Sequence, residues 1–218
     1  MIKALLFDMD GVLVDSEKIH HEARLQVYAK YGLDYEKVRH IPVAGRNTHS
    51  IFGDVQKVLP FPVPLEQAIH DKHETFVRML DKPVKPLPGV IPLLKRYAGS
   101  LSIALVSASV RMNVEAVMKS SGLTPYFPER IYAEDVTRYK PHPEAYLLAA
   151  SRLHLAPSDC LVFEDSGIGV QAAKRAGAGV VGVNTGYPED LSAADLVVDD
   201  MEKGLEDIIA RIEGRKPI

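Results

Sequence analysis

The sequence predicts an α/β protein: a doubly wound, Rossmann-like parallel sheet with a helical segment inserted after its first strand. Three observations predict it. Short apolar runs rich in branched residues recur at 2–7, 101–106, 161–163, 180–183 and 196–198, with a shorter one at 131–132. Helix-length patterns separate most of them. Residues 16–83, by contrast, carry helical patterns throughout and no strand pattern.

Strands buried on both faces read as continuous apolar runs, and alternation with helices implies crossover connections between parallel strands. After the run at 2–7 comes a helical pattern over 17–31, where Ile19, Ala23, Val27 and Tyr31 recur at helical spacing. Asp15 or Ser16 can cap its start, and Gly32 ends it. Further helical patterns cover 48–59 and 65–80. Pro83, Pro86 and Pro88 then forbid helix and favour an extended return. The later helical patterns fall at 110–121, 143–153, 169–176 and 202–212. The expected organisation is a sheet core of residues 1–15 and 84–218, with residues 16–83 as a helical cap. Two neighbouring linkers would let that cap move.

Composition narrows the function. With 218 residues, 46% of them hydrophobic and 25% charged, the chain can bury a sizeable core and is not disordered. The 26 Lys and Arg against 29 Asp and Glu give a net charge of −3, so no bulk positive field gathers nucleic acid or an anionic membrane. Cys160 is the only cysteine, which excludes an intramolecular disulfide, and its apolar neighbours read as a buried strand. The apolar start runs straight into Asp8 without a signal-peptide pattern, and no window approaches ~18 apolar residues. The expectation is a cytoplasmic monomer acting on a small molecule, with neither nucleic acid nor membrane as partner.

Open α/β sheets bind ligands at the carboxyl ends of their strands. The first run ends in Asp8-Met9-Asp10-Gly11, two acids whose alternate spacing turns them the same way. The run at 101–106 ends in Ser107-Ala108-Ser109, a hydroxyl with backbone N–H groups opening a helix, which suits phosphate oxygens. Lys140 stands before Pro141 and Pro143, and the run at 161–163 ends in a second acidic pair, Glu164-Asp165. Together these suit phosphoryl transfer. A carboxylate can attack phosphorus, and a second acid can serve the leaving oxygen and then water. Clustered carboxylates beside a phosphate dianion call for a hard divalent cation, and lysine and hydroxyl groups hold the phosphoryl oxygens.

The stations Asp8-x-Asp10-Gly11-Val12, Ser107, Lys140-Pro141-x-Pro143 and Glu164-Asp165-Ser166 resemble those of the haloacid dehalogenase superfamily. The helical insertion resembles its subgroup of β-phosphoglucomutases and sugar-phosphate phosphatases. The resemblance implies Asp8 as nucleophile and Asp10 as general acid/base. It implies Mg²⁺ held by the Asp8 carboxylate, the Asp10 backbone carbonyl and Asp165, with Glu164 as an outer partner. It also implies phosphoryl binding by Ser107 and Lys140. The function expected is hydrolysis of a small phosphorylated metabolite, a sugar phosphate, through an aspartyl-phosphate.

A mutase is the alternative. Its cap carries His followed by Ala-Trp-Lys, where this chain reads His20-His21-Glu22-Ala23-Arg24-Leu25 and contains no Trp. A catalytically silent phosphate-binding homologue is a second alternative, but all four stations are present. A receiver-type signalling domain would be about half as long and uncapped. In the cap, Gly45-Arg46 opens a helix and is expected to reach the non-transferring end of the substrate, with Arg111 a lesser candidate for the same cleft. Of the eight histidines, His142 is expected beside the cleft, and His70 and His73 on a solvated helix face.

Overall fold

The computed structural model describes residues 2–212 and Gly214. Met1, Glu213 and residues 215–218, at the ends of the expected core segments, lie outside the described residues. Six strands form one parallel sheet: β1 (Ala4–Phe7), β2 (Ser102–Val106), β3 (Glu129–Ile131), β4 (Cys160–Glu164), β5 (Gly179–Val183) and β6 (Leu196–Val198). Their order is β3-β2-β1-β4-β5-β6. The chain winds outward from β1 in one direction and then, starting at β4, in the other. That places the topological switch point between β1 and β4, where such sheets open a crevice.

Alternation along the strands divides the core into two layers. Leu5, Phe7, Ile103, Leu105, Leu161, Phe163 and Val181 face one side with helices α4 (Val90–Tyr97), α5 (Arg111–Ser121) and α8 (Leu205–Ile212). Leu6, Ala104, Val106, Cys160, Val162 and Val180 face the other with α6 (Glu144–Arg152) and α7 (Gly167–Ala176). On the first side Phe7 stacks on Phe163 with ring centroids 4.4 Å apart. Cys160 is wholly buried and its thiol is pushed up to about 11, chiefly by burial, so it packs as a small apolar residue.

Between β1 and α4 the chain forms α1 (Glu17–Lys30), α2 (Thr48–Val58) and α3 (Leu65–Arg78). These helices have an apolar cluster of their own, in which Tyr28, Phe52 and Phe61 lie within 5.1–6.4 Å of one another by ring centroid. Ala23 of α1 and Phe76 of α3 belong instead to the core layer beneath, so the insertion is seated on the sheet domain.

Helix α4 is absent from the sequence expectation. Val90, Leu93, Leu94 and Tyr97 recur at helical spacing and are buried, but Pro92 among them reads as a breaker. It falls in the first turn, where a backbone N–H has no intrahelical partner to lose.

Candidate active site

Register alone assembles the floor of the site. Phe7 pairs with Leu105 on one side and with Phe163 on the other. The residues one step beyond, Asp8, Val106 and Glu164, therefore stand side by side at the strand ends. Lys140 reaches into this row from the loop before α6. Its Nζ donates to Asp8 Oδ1 at 2.6 Å, to Glu164 Oε1 at 2.5 Å and to the Val106 carbonyl at 3.3 Å.

Glu164 is fully buried and also accepts from the Tyr146 hydroxyl at 2.5 Å and from Ser166 Oγ at 3.0 Å. A Cβ on Gly169 would lie 2.1 Å from its carboxyl, so the first turn of α7 closes directly over it. Burial lowers the affinity of Lys140 for its proton, but Asp8 and Glu164 outweigh that and hold it well above the ordinary lysine value.

The acids at the floor are under charge stress. Burial, followed by the repulsion of Asp8, Glu164 and Glu17, pushes Asp165 up to about 9. Burial also raises Asp8 to about 7, with Glu164 and Asp10 adding to it and Lys140 opposing. Asp8, Glu164 and Asp165 can each offer an oxygen within 4.8 Å of the others. Gly11, at φ +83, lets the loop after β1 pass so close that a Cβ there would lie 1.9 Å from Asp165 Oδ2. An all-oxygen set of crowded, desolvated carboxylates fits a hard divalent cation.

Asp10 is held differently. Burial raises its carboxyl, but the contact with His20, the Ser16 hydroxyl and the charge of Lys72 outweigh burial and keep it below the usual value. Ser16 Oγ and Ser109 Oγ both donate to it, the latter at 3.2 Å. His20 Nε2 lies 3.3 Å from Asp10 Oδ1, and His20 Nδ1 lies 2.7 Å from Lys72 Nζ. Lys72 as donor puts the imidazole proton on Nε2, facing Asp10. Burial and the charge of Lys72 depress His20 to about 4, so the ring is neutral. Ser107 is buried and its Oγ accepts from the Ser109 N–H at 3.1 Å.

A cavity of about 460 Å³ lies between this floor and the helical insertion. Asp8, Asp10, Asp165 and Ala108 line it from the sheet side, Glu17, Lys18, His21 and Arg24 from α1, and Gly45 from the loop before α2. Gly45, at φ +65, sits where a Cβ would meet Ser166 Oγ at 2.5 Å, so the insertion touches the head of α7 here.

Four expectations for individual side chains are corrected. Arg46 does not line the cavity, because its guanidinium is occupied by Asp54 at 2.6 Å, Ser50 Oγ at 2.6 Å and the Pro42 carbonyl at 2.8 Å. His142 does not line it either; its Nδ1 accepts from the Glu144 N–H at 3.2 Å, and the histidines at the site are His20, against Asp10, and His21, on the cavity wall. His73 does not share the solvated face of His70 but is buried, with Nδ1 3.0 Å from Asn113 Nδ2 on α5. Arg111 lies over the Tyr132 ring at 4.0 Å and is likewise not part of the cavity lining.

Sequence reasoning missed Tyr146, Arg24 and Lys72. The last two left a signal: each is a charged residue inside the buried stripe of an amphipathic helix, beside Ala23 and Val27 or beside Ile69 and Phe76.

A capped α/β crevice with this floor defines a class of enzyme, and comparison with known proteins gives the class its family. The chain belongs to the haloacid dehalogenase-like hydrolases, whose family pattern matches residues 5–183. It is 34% identical to the fructose-1-phosphate phosphatase YqaB of Escherichia coli over 179 residues, covering 82% of this chain and 95% of that protein. Among solved structures, CbbY from Rhodobacter sphaeroides in complex with phosphate superposes with a TM-score of 0.84 at 25% identity, covering 94% of this chain and 96% of that one. β-Phosphoglucomutase from Clostridium difficile gives a TM-score of 0.80 at 26% identity, with 98% of each chain covered. The expectation of a phosphomonoester hydrolase with a Rossmann-like core is borne out. Among the described residues no helix is long and apolar enough to cross a membrane.

Proposed function

We propose that the protein is a Mg²⁺-dependent phosphatase that hydrolyses a small phosphorylated metabolite, a sugar phosphate in class, through an aspartyl-phosphate on Asp8. The observation that carries this is the convergence of Asp8, Lys140, Glu164 and Asp165 at one row of strand ends, with Asp10 lining the same cavity as Asp8 and Asp165. The sugar-phosphate class draws on the relative named fructose-1-phosphate phosphatase.

In the first half-reaction an Asp8 carboxylate oxygen bonds to phosphorus as the phosphorus–oxygen bond to the substrate breaks. The departing oxygen takes its proton from the Asp10 carboxyl. In the second, the Asp10 carboxylate takes a proton from water as the water oxygen bonds to phosphorus, and the Asp8–phosphorus bond breaks. Inorganic phosphate leaves and both acids return to their starting states.

Lys140, already on Asp8, offsets charge on the phosphoryl oxygens, and the Ser107 hydroxyl, held by the Ser109 N–H, supplies a further donor together with the Ala108 N–H. Asp8, Asp165 and the Asp10 carbonyl would hold Mg²⁺, whose chemistry is to neutralise the carboxylates and the phosphoryl dianion. Glu164 acts from outside that set by fixing Lys140. Ser16, Ser109 and His20 keep Asp10 ionised in the free protein, which is the form that accepts the proton of water. The proton needed for the first half-reaction arrives with the substrate, whose own dianion raises Asp10. Residues 16–83 act as the cap that closes the cavity and shapes it, and Gly45 is one of the points at which cap and core meet.

The test is phosphate release from a panel of phosphomonoesters, with Mg²⁺ and with chelator, for wild type and Asp8→Asn. Mg²⁺-dependent release, reduced on the order of 10⁴-fold or more by Asp8→Asn, is the expected result. Conversion of β-glucose 1-phosphate to the 6-phosphate without net release would show a mutase instead. Absence of both activities would leave a phosphate-binding homologue.

A further inference from the structure

The cap side of the cavity holds a cation with no partner. Arg24 stands on α1 one helical turn beyond His20, the residue that faces Asp10, and lines the same cavity as Asp8, Asp10 and Asp165. It is only 7% exposed. Among the described residues it makes no hydrogen bond, ion pair or ring contact. Glu17 feels its charge but is not at ion-pair distance. Lys72, which also feels it, is a cation itself.

A guanidinium cannot escape such a position by losing its proton, as a buried lysine can. The Arg24 nitrogens are not among the buried polar atoms left without a partner, so the guanidinium reaches the cavity rather than being sealed in protein. A cation that faces the substrate cavity and has no protein partner is matched by an anion brought by a ligand.

The phosphoryl group to be transferred does not fill that role. It is served at the floor by Lys140 and Ser107, and Arg24 lies ~6 Å further along the helix than His20. The other arginine expected at the far end of the substrate, Arg46, is occupied by Asp54. Where the mutases that this segment resembles carry a Trp, this chain carries a charge. The rest of the wall is compatible with an anion. Lys18 and His21 flank Arg24. Glu189 is engaged by the Gly167 N–H, and burial and Asp10 weaken the acidity of Glu17.

We infer that Arg24 is a specificity-determining residue that grips a second oxyanion, a carboxylate or a phosphate, on the end of the substrate that is not transferred. The inference rests on the phosphatase reading and narrows it: the substrates are small phosphorylated acids or bisphosphates rather than neutral sugar phosphates.

The test pairs probes that differ only in that end: 3-phosphoglycerate against glycerol 3-phosphate, and fructose 1,6-bisphosphate against fructose 1-phosphate. The first arm measures kcat/KM with Mg²⁺ for wild type, Arg24→Met and Arg24→Lys. Wild type is expected to favour the doubly anionic member of at least one pair by tenfold or more. Arg24→Met lowers that preference about 10- to 100-fold, the scale of a lost charge-assisted hydrogen bond, and Arg24→Lys restores part of it. The pair with the larger preference identifies the oxyanion as carboxylate or phosphate.

The second arm needs no turnover. Calorimetry on Asp8→Asn with Mg²⁺ compares Kd for the same probes with and without Arg24→Met, and the same ratio is expected. A wild type that releases phosphate from none of the probes would sink the phosphatase reading while the calorimetric arm still decides the role of Arg24. Preference near unity in the wild type, or a preference that survives Arg24→Met within twofold, overturns the inference.

Discussion

The two sides of the cavity treat buried charge in opposite ways. At the floor Lys140 is shared between Asp8 and Glu164, and Glu164 is further bound by Tyr146 and Ser166. On the cap side Arg24 has no counter-ion, and Lys72 meets a neutral imidazole at 2.7 Å and the face of Phe76 rather than a carboxylate. The floor is made of adjacent strand ends, where register sets positions before any ligand arrives. The cap side is made of helices around a separate apolar cluster, with room for unpaired cations. Chemistry common to all substrates belongs on the first kind of scaffold, and selection among substrates on the second.

The strongest way to break this contrast is Lys140→Met. It leaves Asp8 and Glu164 buried beside each other without their cation, and should cost about 3–5 kcal/mol of stability. Urea unfolding in chelator checks it, and unchanged stability would mean that the floor does not depend on its internal pairing.

Lys72→Met probes the cap side. Burial, reinforced by Arg24 and opposed by Asp10 and Glu17, lowers Lys72 to about 7, against about 10.4 in an unfolded chain. Between these values the unfolded state holds a proton that the folded state lacks, so wild-type stability should rise with pH across that window. The slope is at most about 1.4 kcal/mol per pH unit. Lys72→Met should be more stable than wild type at pH 7 and lose that rise, so the two converge towards pH 10. Parallel unfolding curves at both pH values would contradict the placement of Lys72.

The smallest effect is expected for Arg46→Met, which removes a half-exposed pair with Asp54. Stability should fall by less than about 1 kcal/mol, and the preference for doubly anionic substrates should stay within twofold of wild type. A large loss of that preference would return to Arg46 the role assigned here to Arg24.

Much of this was legible in the linear chain. Continuous apolar runs mark the strands other than β3, whose Glu129-Arg130-Ile131 is apolar only at its end, because a parallel sheet is buried on both faces, and Asp8, Ser107 and Glu164 stand out because each follows such a run. The failures share a cause. Pro92 hid α4, since a breaker and a first-turn proline look alike in one dimension. Arg46 looked free because its partner Asp54 is eight residues away, well inside helix α2. His73 looked solvated because charge and polarity normally mark the outer face of a helix.

What the sequence determined by itself is the alternation of strands with the helices other than α4, the insertion after the first strand, and the acids and hydroxyl at the strand ends with the lysine beside them. Those follow from local periodicity and from position relative to strand ends. Only the tertiary structure decided which charges are paired: that Lys140 bridges Asp8 and Glu164, that His20 stands between Lys72 and Asp10, and that Arg46 is satisfied while Arg24 is not. Pairing is a property of side chains brought together from distant parts of the chain, and burial determines what an unpaired charge costs.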